Sequence, residues 1–161
     1  MSIPTIEQLM AASITELGDY ELLEIGPYLG VITNTEVRQG PKGAYLNVET
    51  TLHKPAESDD ETCKGRKAWR NVSFSEKALT MPGGLAQLVQ ATSPAIPENT
   101  KVEDLPETLA TVIMGETIGV ELDHEQGWKN GGPHVDEHGN PVMRNCVVSF
   151  FAADDSFAKS I

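Results

Sequence analysis

The chain has 161 residues, a length typical of one domain with a substantial core, and it is acidic, with 24 Asp and Glu residues against 12 Lys and Arg. Its formal net charge of −12 argues against nonspecific duplex binding by the whole surface and favours a restricted site. No apolar run approaches 18 residues, so we expect no membrane span. The N-terminus lacks the basic and apolar regions of a secretory signal, so we expect a cytoplasmic protein.

The first element predicted along the chain is a short amphipathic helix over residues 5–17. Its apolar positions recur at spacings of three and four residues, and a proline and a glycine flank it as capping preferences require. These positions are Ile6, Leu9, Met10, Ile14 and Leu17. We interpret residues 1–24 as a helical arm that precedes the main domain.

Three strands are predicted next, over residues 28–37, 44–53 and 65–74. A glycine-rich turn over residues 39–43 joins the first two, and an acidic loop over residues 55–62 joins the second and third. Apolar residues alternate along the second and third strands, which predicts one buried and one exposed face. The inward-facing set is Leu46, Val48, Thr50, Leu52, Ala68, Val72 and Phe74.

The second half of the chain alternates helical and extended patterns. A helix is predicted through Leu85, Leu88 and Val89, and a second short helix over residues 102–109. Two further strands are predicted over residues 117–123 and 143–151, separated by a long glycine-rich loop at residues 125–141. Residues 152–161 are predicted to be a frayed C-terminal tail.

The element order predicts a mostly β fold with short helices. Five strands, with a helix between the third and fourth, follow the order of the OB-fold, a five-stranded barrel that binds ligands on strands two and three. We therefore predict an OB-like β-barrel domain over residues 25–151, preceded by the N-terminal helix. A β-sandwich of the same strands is the structural alternative.

Positive charge is concentrated in one quarter of the chain. Eight basic and six acidic residues lie between Arg38 and Lys77, whereas the other 121 residues carry four basic and eighteen acidic ones. The densest stretch, residues 64–70, places Trp69 among cations, which suits single-stranded nucleic acid because charge follows phosphates and a ring stacks on a base. An ordinary solvated strand is the alternative. The candidate nucleic-acid-binding residues are Lys42, Tyr45, Lys64, Arg66, Lys67, Trp69, Arg70, Trp128 and Lys129.

Several short motifs carry a resemblance to a known family. They are Gly26–Tyr28, Lys42–Val48, Gly65–Val72, Gly83–Leu85 and Gly139–Pro141. With these motifs, residues 26–151 resemble a family of small phage proteins found with replication and recombination genes, similar to phage single-stranded DNA-binding proteins of the OB-fold type. The resemblance implies sequence-nonspecific binding of single-stranded DNA in the host cytoplasm, homo-oligomers, and phage replication or recombination proteins as partners. Bacterial proteins of that class end in an acidic, aromatic tail that recruits partners, and the lysine at position 159 departs from that pattern.

No group of residues in the sequence has the types and spacing of a catalytic site. The histidines of the late loop, His124, His134 and His138, have spacing that suits zinc together with Cys146, but the flanking Gly and Pro residues exclude a helix there, and a polar hairpin loop is the preferred interpretation. Neither a phosphate-binding P-loop nor a nucleophile elbow is present. We predict a protein that is not an enzyme and has no cofactor or metal. Cys63 and Cys146 are interpreted as free thiols, although a disulfide between them stays open.

Two other functions are compatible with an acidic, β-rich chain. One is a virion structural or capsid decoration protein, and the other is an inhibitor that mimics DNA with a row of acids. The exposure of Trp69 separates the first of these from DNA binding, because a stacking platform is exposed whereas a structural tryptophan is buried. The N-terminal helix would also bury Trp69 if it covered the ring through Leu9 or Ile14.

Overall fold

The computed structural model describes residues 22–160. The predicted helix at residues 5–17, and with it most of the predicted arm, lies outside the described residues. The elements are β1 (Gly26–Gly40), β2 (Gly43–Pro55), β3 (Lys67–Ser73), α1 (Leu85–Thr92), α2 (Leu105–Val112), β4 (Thr117–Gln126), β5 (Trp128–Lys129), β6 (Gly132–Pro133), β7 (Met143–Phe151) and α3 (Asp155–Ser160). Short 3₁₀ turns at Glu76–Ala78 and Val102–Asp104 precede α1 and α2. The predicted mostly β fold with short helices is confirmed.

One five-stranded antiparallel sheet forms the body of the protein, in the order β3-β2-β1-β4-β7. β1 is long because it pairs with β2 over nearly its whole length and also with β4 over residues 26–31. The register of β1 against β2 shifts at Gly30, where a β-carbon would lie 2.4 Å from the carbonyl oxygen of Thr51. Only glycine avoids that contact, so the bend of β1 is encoded at this position.

The inward face of the sheet follows the predicted alternation. On β2 and β3 the predicted inward residues are buried, except that Phe74, just after β3, is half-buried. Arg70, at the inward parity of β3, is also only half-buried. Apolar residues of β4 and β7 continue the core, and α1 and α2 cover it with Leu88 and Leu109. The opposite, outward face of β2 and β3 carries mostly polar side chains, together with the aromatic rings of Tyr45 and Trp69. No helix within residues 22–160 has the length and apolar character needed to cross a lipid bilayer.

The sheet is not closed into a barrel, so the predicted OB-like barrel is not confirmed. β3 and β7 are the two edges of the sheet, and they approach each other without forming a ladder of hydrogen bonds. A side chain joins them instead, because the Nη1 of Arg70 on β3 donates to the carbonyl oxygen of Val147 on β7 at 3.3 Å. The gap between these edges is the most distinctive feature of the outward surface.

The predicted glycine-rich loop at residues 125–141 is a hairpin. β5 pairs with β6, and the backbone N–H of His134 donates to the carbonyl of Gly127 at 2.7 Å. Asn130 and Gly131 form the turn with φ of 54° and 80°, as a two-residue hairpin turn of type I′ requires. This Asn-Gly pair is a strong local hairpin signal, and the polar hairpin preferred for this segment is confirmed by the pairing of β5 with β6.

The C-terminal tail is also more ordered than predicted. Residues Asp155–Ser160 form α3, and Phe157 is only 5% exposed. Its ring packs edge-on against that of His53 on β2, with centroids 5.6 Å apart. The prediction of a frayed tail was wrong for residues 155–160, because the contact with His53 that orders them lies about a hundred positions away in the sequence.

Candidate nucleic-acid interface

A cleft of about 570 Å³ runs between β3 and β7 on the outward side of the sheet. Three of the predicted binding residues line it, namely Lys67, Trp69 and Arg70. The other residues that line it were not among the predicted binding residues, and they are Asn47, Asn71, Glu125, Arg144, Asn145, Cys146 and Val147. The cleft therefore combines an indole ring, three cations, one carboxylate and three amides.

Trp69 lies on the outward face of β3, as its parity predicted. It is directly opposite Glu49 of β2 and is 47% exposed, although large aromatic rings are usually buried. Lys67 and Asn71 flank it at alternate positions on the same strand and face outward with it. A flat ring thus stands at the cleft with a cation on one side and an amide on the other.

The three cations of the cleft are held in different ways. Lys67 lies 3.4 Å from Glu49, and Arg144 donates from Nε and Nη2 to one carboxylate oxygen of Glu125 at 3.0 and 2.8 Å. Arg70 shares the inward parity of Ala68 and donates only to backbone carbonyls. The predicted phosphate contact therefore fits Lys67 better than Arg70.

The amides connect the cleft to a second hollow. Asn47 donates from Nδ2 to the Oδ1 of Asn71 at 2.8 Å across β2 and β3. Asn71 also borders a hollow of about 320 Å³ at the β1–β2 turn, which includes the predicted residues Lys42 and Tyr45. A continuous outward surface thus runs from Trp69 past Asn71 to Lys42.

Four predicted residues lie away from this surface or at its margin. Lys64 is in the loop before β3, 3.8 Å from Glu61, and lines a different hollow beside α3. Arg66 precedes β3 and is half-buried. Trp128 and Lys129 lie on β5, and although Trp128 is 66% exposed, neither residue lines the cleft or the hollow at the β1–β2 turn.

Negative charge bounds the cleft on its β4 side. Glu121, Asp123 and Glu125 alternate along β4 and are all exposed, so three carboxylates follow one another on the outward face. Only the last of them reaches a cation of the cleft, Arg144. A polyanion would be repelled from β4, and its most favourable path follows β3 toward the β1–β2 turn.

The late hairpin is not arranged as a metal site. Asp136 accepts the backbone N–H groups of Asn140 and His138, each at 2.9 Å, and these hydrogen bonds lower the pKa of its carboxyl group. His138 lies beside Glu137 at 3.6 Å on the surface. Across residues 22–160 no three His, Cys, Asp or Glu side chains are grouped as metal ligands would be.

Both cysteines are free, and one of them borders the cleft. Cys63 is buried, whereas Cys146 lines the cleft on β7 and is half-buried. Burial raises the pKa of the Cys146 thiol, and the nearby carboxylates of Glu125 and Asp123 raise it further. At neutral pH the thiol of Cys146 is therefore mainly protonated. Because it lines the cleft, its chemical reactivity can be used to measure access to the cleft.

Comparison with known proteins adds no relative to this description. No protein-family model matches the chain, and no curated protein is significantly similar to it in sequence.

Proposed function

We propose that this protein binds single-stranded DNA without strong sequence preference, in the replication or recombination of a phage. The observation that carries the proposal is Trp69, a large ring that is half exposed in a cleft lined by Lys67, Arg70 and Arg144. An exposed ring between cations suits a polyanion whose bases are unstacked, because the ring stacks on a base while the cations contact phosphates. Every base has a π face, so such a site tolerates many sequences.

The strand order supports an OB-like interpretation of the sheet. β1 lies between β2 and β4, and β7 follows β4, so β3 and β7 are brought to face each other as the third and fifth strands of an OB-fold are. That fold is a partly open barrel, and it binds oligonucleotides on strands two and three and on the loops that flank them. Under this interpretation the cleft and the hollow beside Lys42 correspond to those ligand surfaces, which supports the proposal.

A duplex fits this surface less well than a single strand. The cleft is bounded by the acidic row of β4, and the chain has a formal charge of −12. A rigid duplex would bring many phosphates near those carboxylates, whereas a flexible strand can follow β3 and avoid them. The proposal therefore includes a preference for single strands over duplex.

The test is a titration of the full-length protein with a fluorescent oligonucleotide at several salt concentrations. We expect binding that weakens as salt rises, because phosphate contacts release counterions, and weaker binding of a duplex of the same sequence. Equal affinity for both forms would contradict the preference for single strands. Absence of binding to either form at low salt would overturn the proposal and favour the virion alternative.

Lys67 should contribute one phosphate contact. Replacing Lys67 with Gln should make the slope of log affinity against log salt less steep by about 0.7, the value expected for one phosphate of a single strand. Lys101→Gln is the matched control, since it removes the same charge from an exposed position in the turn before α2, outside the cleft. Equal slopes for Lys67→Gln and the wild type would exclude the contact.

Alkylation of Cys146 should report occupancy of the cleft. Because burial and nearby carboxylates raise its pKa, the thiolate fraction is small at neutral pH, and the alkylation rate should rise as pH increases toward that pKa. A bound oligonucleotide should slow the reaction by covering the cleft. Mass spectrometry separates this site from Cys63, which is buried and should react slowly in both states. A rate at Cys146 that is unchanged by saturating oligonucleotide would place the DNA elsewhere.

A further inference from the structure

Each cation of the cleft already has a partner within the chain. Arg70 is engaged by three backbone carbonyls, Lys67 by Glu49 and Arg144 by Glu125. A phosphate that enters the cleft must therefore compete with groups of the protein itself. The affinity of the site depends on which of these partners can be displaced.

The carboxylate of Glu125 contacts Arg144 in the way that a phosphate group of a ligand could. It lies directly across from Arg144 in the β4–β7 ladder, and its Oε1 accepts two guanidinium N–H groups at 3.0 and 2.8 Å. Charge-assisted hydrogen bonds of this kind are also how arginine binds phosphate oxygens. Both side chains are about half exposed, at 48% for Glu125 and 52% for Arg144, so a ligand can reach the pair.

Glu49 is held more firmly than Glu125. Its side chain is only 15% exposed, and its Oε1 also accepts the hydroxyl of Thr33 at 2.8 Å. Displacing it would leave a carboxylate partly buried and would break a second hydrogen bond, which is costly. Of the two carboxylates that neutralise cleft cations, Glu125 is therefore the one that a ligand can replace.

We propose that Glu125 is an internal substitute for a ligand phosphate, which Arg144 exchanges for the phosphate when the cleft is occupied. The proposal rests on the proposed function, and it adds Arg144 as a phosphate-binding residue and Glu125 as the residue that limits affinity. Glu125 weakens binding in two ways, because it must give up its partner and because its charge then lies near the phosphate. Ligands without an anionic group at this position gain nothing from the exchange.

Replacing Glu125 with Gln should tighten oligonucleotide binding by about two- to fivefold, the range expected when an exposed ion pair no longer competes. Glu121→Gln is the matched control, because it removes the same charge from the same face of β4 but lies outside the cleft. Its smaller effect measures the general benefit of lower negative charge. Equal gains for the two variants would overturn the proposal.

A double-mutant cycle with Arg144 tests the exchange itself. Arg144→Gln should weaken binding and make the salt dependence less steep by about 0.7. In that background, Glu125→Gln should give a clearly smaller gain than it gives in the wild type, because no pair is left to exchange and only the repulsion of the phosphate is relieved. A full gain in the absence of Arg144 would show that Glu125 acts only by repulsion, contrary to the proposal.

A second readout keeps this inference separate from DNA binding. Titration with tripolyphosphate, followed through the NMR signal of the Arg144 Nε–H, should shift that signal in the wild type and at lower concentration in Glu125→Gln. If no variant binds oligonucleotide, the proposed function fails, and this titration decides the inference alone. An Arg144 signal that does not respond to tripolyphosphate in either protein would overturn it.

Discussion

Replacing Arg70 with alanine should lower the free energy of unfolding by about 2 kcal/mol, because hydrogen bonds from a charged group contribute roughly 1.5–3 kcal/mol and the bonded carbonyls would lose their donor. Its Nε donates to the carbonyl of Gly83 at 3.1 Å, and its Nη2 and Nη1 donate to those of Pro82 and Val147 at 3.3 Å each. The side chain thus joins β3 to the turn before α1 and to the opposite sheet edge. For a chain of this size the melting temperature should fall by roughly 4–8 °C.

Two variants and a calorimetric or denaturant measurement check this expectation. Arg70→Lys keeps the charge but loses the fork that reaches three carbonyls, so it should recover only part of the stability. Lys67→Ala, on the outward face of the same strand, should change the free energy of unfolding by no more than about 0.5 kcal/mol. If Arg70→Ala melts like the wild type and instead lowers the salt dependence of binding, the guanidinium contacts phosphate as the sequence suggested.

The case of Arg70 shows where reasoning from sequence stops. In the sequence it belongs to a cluster with Arg66 and Lys67, and the cluster predicts a basic surface. Strand parity places it inward with Ala68 and Val72, but parity says nothing of what lies opposite. The carbonyl groups that engage it belong to a turn 12 and 13 positions away and to a strand 77 positions away. Such partners depend on tertiary packing, which no local pattern encodes.

The fold was most predictable where the sequence signal is local. The period of two along β2 and β3 gave both strands and their buried faces, since a half-buried strand must alternate. The late hairpin was also encoded locally, because Asn130-Gly131 favours a two-residue turn, although the sequence interpretation did not single out that pair among the glycines around it. Closure of the sheet, in contrast, depends on how far β3 and β7 coil toward each other, which is a property of the whole sheet.

The candidate site was predictable in part for the same reason. Trp69 and Lys67 were found because alternation along one strand shows which side chains face outward. Asn47 joins Asn71 only through the register of β2 against β3, and Arg144 joins the cleft only because β7 approaches β3. The charge distribution indicated a site within residues 38–77. The cleft is also lined by Glu125 and by residues 144–147, which lie far from that segment in the sequence.

Replacing Trp69 with alanine should weaken oligonucleotide binding by about tenfold or more while the melting temperature changes little. Stacking of a base on an aromatic side chain contributes on the order of 1–3 kcal/mol, and about 1.4 kcal/mol corresponds to a factor of ten. The ring is 47% exposed on the outward face of β3, whereas Ala68 and Val72 face the core from the opposite side. Its loss should therefore leave no cavity in the core. Trp69→Phe is the matched variant, and it should retain part of the affinity because a smaller ring still stacks.

Fluorescence gives a direct measurement of the same contact. The chain has two tryptophans, so in Trp128→Phe all tryptophan fluorescence comes from Trp69. In that background, an oligonucleotide that stacks on Trp69 should quench its emission and shield it from iodide. Trp128→Phe also tests the predicted role of Trp128, because unchanged affinity would confine binding to the cleft and the β1–β2 turn.

The same variant can also contradict the proposed stacking of a base on Trp69. If Trp69→Ala unfolds or melts far below the wild type, the ring is structural, as it would be if the helix predicted at residues 5–17 covered it through Leu9 or Ile14. That segment lies outside the described residues, so the melting experiment distinguishes the two interpretations independently of any DNA measurement. A stable variant with undiminished affinity would exclude stacking on Trp69. Any stacking of bases would then need another aromatic side chain, and Tyr45, which lines the hollow at the β1–β2 turn with Lys42, is one on the same surface.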